Sequence, residues 1–110
     1  MLPNNHWSQN DRRIATRAMQ AGRQAESEQI VADFRRRAAD VADEGDVWDI
    51  ADWLRSVRRD LDEKYAESYQ VRIFVLARLR ADGFLRAEDL DGLSPDKLAL
   101  IEKLASGNLL

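Results

Sequence analysis

The 110-residue sequence predicts an all-α protein, because its composition, its apolar periodicity and its helix-boundary residues all favour helices. Only two prolines and five glycines interrupt a chain that is 34% charged and 45% apolar. Ala, Leu, Arg and Glu, which are strong helix formers, are frequent, whereas Val and Ile are few and scattered. The length suits one domain. We therefore expect a single helical domain, with a long N-terminal helix and a compact bundle of shorter helices.

A long helix is predicted near the N-terminus. Residues 1–7 show no periodicity and are expected to be disordered. Ser8, with Asp11 three positions later, resembles a capping box. Apolar residues then recur in steps of three and four, although Gly22 allows either a bend or a continuous exposed helix. A helix from Gln9 to Ala42 would be about 50 Å long, more than so small a domain can bury, whereas two antiparallel copies could bury it.

The second helix is predicted from about Val47 to Tyr65. Gly45 is expected to end the first helix, and Asp46 to cap the second. A clean three-four pattern predicts an apolar stripe that faces the core, formed by Val47, Ile50, Leu54, Val57, Leu61 and Tyr65.

The C-terminal part of the chain predicts three shorter elements. A helix from about Ser68 to Gly83 is apolar nearly all round and is expected to be the most buried element. A strand competes for residues 71–75, but the length, the flanking arginines and the terminal glycine favour a helix. Ala87 to Leu90 suits a short helical turn, and Ser94 followed by Pro95 starts a last helix that runs to about Ala105.

Several classes of chemistry lack the residues they need. Without cysteine there is no disulfide, thiolate nucleophile or cysteine-based zinc site. The single histidine, His6, lies in the segment expected to be disordered, and no glycine-rich phosphate loop occurs. We therefore predict a protein that is not an enzyme and has no cofactor or metal. The longest apolar run, from Ile73 to Ala77, is far too short to span a membrane, and we find no signal peptide. A cytoplasmic protein is expected.

Charge is distributed unevenly along the chain. Residues 11–37 contain seven arginines and four acids, whereas residues 38–65 contain nine acids and four bases. The two segments would be complementary if the first helix of one copy lay beside the second helix of another. Alternatively, both are solvated helix faces.

One aromatic residue is placed off the predicted core. Trp48 lies about 135° from the apolar stripe at 100° per residue and shares its face with Asp52, Arg55 and Arg59. A large aromatic beside an acid and arginines is typical of a protein-binding hot spot. Alternatively, the first helix or a second copy covers Trp48. Arg58 lies at the boundary between the stripe and the polar face, where it could extend across a subunit interface.

An ordered series of segments resembles the cyanobacterial fluorescence recovery protein family. It comprises the Trp7-Ser-Gln motif, residues 46–65 (DVWDIADWLRSVRRDLDEKY), residues 71–83 (VRIFVLARLRADG), the Glu88-Asp-Leu turn and a lysine-bearing last helix. The resemblance implies an all-α homodimer in which residues 8–65 form two long dimerisation helices and residues 66–110 form a helical head.

The resemblance also implies a function. Members of the family bind the photoactivated orange carotenoid protein, mainly through its C-terminal domain, and detach it from the phycobilisome. They accelerate its return to the inactive orange state and so end non-photochemical quenching. This implies a cytoplasmic protein that works at thylakoid-associated phycobilisomes, without a nucleic-acid partner or a transmembrane segment.

The resemblance assigns roles to four residues. Trp48, Asp52 and Arg58 match positions that the family uses for dimerisation and activity, and Phe74 matches an aromatic of the head that contacts the partner. Two positions depart from the family pattern. Ala51 stands where the family often has histidine, and a lysine of the last helix is replaced by Leu100, with lysines on either side.

Two alternatives to that function stay open. The chain could be a family-like helical dimer that binds a different protein. It could also be a small helix-turn-helix regulator of DNA, because arginines surround the third helix. The acidic balance of the chain, with a pI of about 5.2, argues against DNA binding.

Overall fold

A computed structural model of the chain describes residues 6–65 and 69–107, and all regular secondary structure in this part is helical. Its helices are α1 (Gln9–Ala39), α2 (Glu44–Lys64), α3 (Tyr69–Ala81) and α4 (Pro95–Ala105), with a short 3-10 helix at Ala87–Leu90 between the last two. No strand occurs among the described residues, which confirms the all-α prediction and the choice of a helix for α3.

The described residues form two compact units. The core unit consists of residues 6–25 and 69–107, and the hairpin unit consists of residues 26–65. The boundary therefore falls inside α1, whereas the sequence placed all of residues 8–65 in one pair of helices. The first turns of α1 join the core unit because their apolar side chains are buried there.

All fully buried apolar side chains among the described residues belong to the core unit. They are Trp7, Ile14, Ala15, Ala18, Ile73, Val75, Leu76, Ala77, Leu79, Leu85, Leu90, Leu93 and Ile101. Helices α3 and α4 pack against each other, and Arg80 of α3 forms an ion pair with Glu102 of α4 at 3.1 Å.

Gly22 lies where α1 passes close to α3. A Cβ atom at this position would lie 2.8 Å from Cδ1 of the buried Leu79. The helix continues through the glycine without a break. The residue is therefore small because of helix packing, and the bend that the sequence allowed is not required.

The helix starts show which capping predictions hold. At α1, the Asp11 amide donates to Ser8 Oγ at 2.9 Å and the Ser8 amide donates to Asp11 Oδ2 at 3.4 Å, so the capping box is confirmed. At α2, Asp43 is the N-cap and Asp46 is the third helical residue of another capping box. The prediction that Asp46 is the N-cap of α2 was wrong. Asp43 takes that position, because its carboxylate accepts a hydrogen bond from the Asp46 amide three residues later.

Residues 6 and 7, which precede α1, contact other residues of the core unit. Trp7 is only 7% exposed, and the Lys97 ammonium lies 5.0 Å from the centroid of its ring. Lys97 Nζ also donates to the backbone carbonyl of His6 at 2.6 Å. His6 and Trp7 thus contact Lys97 of α4, while residues 1–5 of the segment expected to be disordered lie outside the described part.

A buried polar network joins the start of α1 to the start of α4. Asp11 and Lys97 are each 2% exposed, and Asp11 Oδ2 lies 3.6 Å from Lys97 Nζ. Ser94 donates to Asp11 twice, from its hydroxyl at 2.6 Å and from its amide at 2.9 Å. Burial alone would raise the pKa of Asp11, but the hydrogen bonds from Ser94 and Ser8 and the charge of Lys97 together lower it.

The hairpin unit is an antiparallel pair formed by the second half of α1 and by α2. At one end, Glu26 accepts from Lys64 Nζ at 3.0 Å and from the Tyr65 hydroxyl at 2.6 Å. Nearer the turn, the Arg37 guanidinium lies 4.2 Å from the centroid of the Trp53 ring. Polar contacts at one end and a cation–π contact nearer the turn therefore join the two helices.

No helix in the described ranges is both long and apolar enough to cross a membrane.

The Asp11 network gives a stability prediction. Asp11→Asn removes the buried negative charge but leaves the Lys97 ammonium buried. We expect a loss of about 3 kcal/mol in the free energy of unfolding at neutral pH, measured by urea titration with circular dichroism. Because the folded pKa lies below the unfolded value of about 3.9, the contribution is complete well above that value. It is lost as the pH falls through the folded pKa, so wild type and variant should converge in acid.

Asp91→Asn is the matched control, because it neutralises an exposed aspartate of the same unit. It should change the stability by less than about 0.5 kcal/mol. Equal effects of the two substitutions, or a wild-type advantage that persists in acid, would contradict this account of the network.

Candidate functional site

Large apolar side chains are exposed mainly on the hairpin unit. Within the described ranges, six of them lie there, namely Val31, Phe34, Val41, Val47, Trp48 and Leu54, and one, Phe74, lies on the core unit. Patches of exposed apolar side chains are typical of protein-binding surfaces. We call the six residues the hairpin surface.

The apolar stripe of α2 is only partly covered. Ile50, Val57 and Leu61 are half-buried, as expected for residues that face a neighbouring helix. Val47 and Leu54 are exposed, so the prediction that they face the core of the chain was wrong. The physical reason is that, within the hairpin unit, α1 alone can cover α2, and a single helix covers only part of a stripe this wide.

Arg58 continues the exposed edge of this stripe. It lies four residues after Leu54 and eleven after Val47, which places all three on one side of α2. The guanidinium of Arg58 is exposed, and it makes no hydrogen bond or ion pair to the part of the chain that the structure describes. A cation beside exposed apolar side chains can pair with an acid of another chain.

Trp48 is the most exposed aromatic side chain among the described residues, at 61%. It lies on the same side of α2 as Asp52, which accepts a hydrogen bond and ion pair from Arg55 at 3.2 Å. Both charged groups are exposed, so the pair contributes little to stability, about 0.3–0.5 kcal/mol. The prediction that Trp48 lies off the core is confirmed.

Phe74 is the corresponding aromatic of the core unit. It is 46% exposed, although Ile73 and Val75 on either side of it are buried. Arg78 follows one turn later and is also exposed. The third helix is therefore buried on most sides, as predicted, but it presents one aromatic side chain to solvent.

Three of the four residues singled out in the sequence share a helix. Trp48, Asp52 and Arg58 all belong to α2 and to the hairpin unit, whereas Phe74 belongs to the core unit. The exposure of Val31 and Phe34 on α1 was not predicted for these two residues individually. The predicted length of the first helix, which is more than so small a domain can bury, indicated that part of it would be exposed.

The two lysines that flank Leu100 in the last helix differ in exposure. Lys97 is buried in the Asp11 network, Leu100 is half-buried and Lys103 is exposed. Lys97 therefore has a structural role, and Lys103 is the exposed lysine of α4.

No cluster of three or more His, Asp or Glu side chains that could hold a metal ion occurs among residues 6–65 and 69–107. The geometry instead defines a class of protein, a small all-helical protein that presents exposed aromatic and apolar side chains on its helices.

The sequence identifies this class more closely. The model of the family described as "Photoprotection regulator fluorescence recovery protein" matches residues 7–105. The chain belongs to the fluorescence recovery protein family.

Relatives with known names and structures agree with this assignment. The fluorescence recovery protein of Synechocystis sp. is 32% identical over 99 residues, which are 90% of this chain and 91% of the relative. The structure of the Fremyella diplosiphon protein matches with a TM-score of 0.84 at 32% identity, over 92% of this chain and 99% of that one. The structure of the Synechocystis sp. protein gives the same TM-score, identity and shares. The fold of the described residues is thus that of fluorescence recovery proteins.

Proposed function

We propose that this protein is a non-enzymatic regulator that binds the photoactivated orange carotenoid protein. It detaches that protein from the phycobilisome and accelerates its return to the inactive orange state, so that non-photochemical quenching ends. Membership of a family of photoprotection regulators supports the role. The observation that carries the binding mode is the exposed hairpin surface, with Trp48 as its largest side chain.

The mechanism requires only differential binding. A protein that binds a resting-like or intermediate state of the carotenoid protein better than the fully active state shifts the population towards reversion. Phe74 on the core unit and Trp48 on the hairpin unit are the aromatic side chains available to the C-terminal domain of the partner. The site of action is the cytoplasm beside thylakoid-associated phycobilisomes.

A homodimer formed through the long helices would bury the apolar side chains that the hairpin unit leaves exposed. The hairpin unit contributes no fully buried apolar side chain, and it consists of only about forty residues. Units of that size need another source of stability, and the chain has no cysteine to supply a disulfide. A second copy placed on Val47, Leu54 and Phe34 would bury the apolar side chains that this chain leaves exposed.

Leu54→Glu tests the proposed dimer. A carboxylate in an apolar interface is costly, so we expect the molecular mass from light scattering to fall to about that of one chain at micromolar concentration. Arg59→Glu is the control, because it places the same side chain about 140° further round α2. It should leave the mass unchanged, and equal dissociation by both variants would contradict the assignment of the interface.

Asp52 and Arg58 are proposed to serve the dimer interface or the partner contact. Asp52→Leu and Arg58→Leu should each slow the dark red-to-orange recovery of the carotenoid protein, or weaken dimerisation, by about tenfold or more. Helical content should stay unchanged, because both side chains are exposed. A double variant that is fully dimeric and fully active would overturn this assignment.

The second candidate function is a family-like dimer with a different protein partner. The departures at Ala51 and Leu100 favour it, because the family's usual histidine and lysine are absent there. An unchanged recovery rate with several types of orange carotenoid protein, together with an intact dimer, would select this second candidate.

A further inference from the structure

Two segments of opposite charge lie on the surface, one in each unit. Residues 12–25 of α1 contain four arginines and no acid, and we call them the arginine segment. Residues 40–49, which connect α1 to the first turn and a half of α2, contain five acids and no base, and we call them the acidic segment. Each run of like charges creates a strong local electrostatic potential, which attracts a surface of the opposite charge.

The arginine segment keeps its charge at the surface. Arg12, Arg13, Arg17 and Arg23 are all exposed. The neighbouring acid, Asp11, is buried and paired with Lys97, so it does not neutralise Arg13 or Arg17. Arg13 donates only to the uncharged Asn10, at the side-chain carbonyl. Arg17 has no hydrogen bond or ion pair within the described ranges.

The acidic segment divides its charges between folding and the surface. Asp43 and Asp46 form the capping box of α2 and are needed there. The carboxylates of Asp40 and Glu44 are exposed and make no hydrogen bond or ion pair in the residues that the structure describes. These two acids are therefore available to another molecule.

The acidic segment is continuous with the hairpin surface. Val41, Val47 and Trp48 belong to both, and all three are exposed. A second copy that contacts Val41 and Val47 would therefore lie beside the acidic segment. An unrelated acidic partner would satisfy the arginine segment alone, whereas a second copy satisfies both segments. In a two-fold dimer each contact is made twice.

We propose that the arginine segment of one copy binds the acidic segment of a second copy, and that this pairing sets the orientation of the dimer. The inference rests on the homodimer of the proposed function and adds its charge pairing. Exposed ion pairs contribute little each, so the apolar side chains supply most of the affinity. The charges select the partner orientation and make association sensitive to salt.

A charge exchange tests the pairing. Arg13→Glu/Arg17→Glu reverses two charges of the arginine segment and takes its net charge from +4 to 0. Asp40→Lys/Glu44→Lys reverses two charges of the acidic segment and takes its net charge from −5 to −1, while both capping acids are kept. We expect each variant alone to raise the dissociation constant of its homodimer by about tenfold or more, since the altered contact occurs twice in each homodimer. An equimolar mixture should form a heterodimer with near wild-type affinity. One of its two contacts is then wild-type, and the other joins the introduced glutamates to the introduced lysines.

Arg78→Glu/Lys103→Glu is the control. It changes the net charge as much as the arginine variant does, at exposed positions outside the two segments. It should leave the dissociation constant unchanged. Equal weakening by the control, no weakening by either test variant, or a mixture that fails to associate would each overturn the proposal.

Wild-type protein supplies a measurement that needs no variant. Raising NaCl from about 20 mM to about 500 mM screens exposed charges and should weaken the dimer severalfold. A dimer whose dissociation constant does not change over this range contradicts the charge pairing and leaves the proposed function intact. A mass of one chain under all conditions contradicts the homodimer itself.

Discussion

The hairpin unit has no fully buried apolar side chain, and the proposed function depends on this constraint. Two helices that face only each other leave one side of each stripe exposed, and here the exposed side carries Val47, Leu54 and Phe34. Polar contacts, such as the pair between Glu26 and Lys64, hold the two helices together without closing that surface. Another chain that binds this surface would therefore bury apolar side chains that the hairpin unit itself leaves exposed.

The core unit is organised in the opposite way. It contains all of the fully buried apolar side chains among the described residues, and a buried pair of charges fixes the start of α1 to α4. Removing one member of such a pair is costly because the other stays buried without compensation. A unit of this kind is suited to present Phe74 in a fixed position, since helix α3 is held on its other sides.

Local signals predicted the fold well because helix boundaries are set by neighbouring residues. The capping box of Ser8 and the proline at the start of α4 placed two helix starts correctly. Burial was harder, because it depends on distant partners. Lys97 reads as a surface lysine until Asp11, eighty-six positions earlier, is known to lie beside it. For the site, helical geometry alone placed Trp48 off the core, whereas the interest of Phe74 came only from the family resemblance.

This protein is proposed to act by returning the photoactivated orange carotenoid protein to its inactive orange state. The rate of red-to-orange recovery in darkness, measured with and without a stoichiometric amount of this protein, tests that claim most directly. We expect recovery to be clearly faster when the protein is present. A recovery rate that the protein leaves unchanged, across several types of orange carotenoid protein, would contradict it.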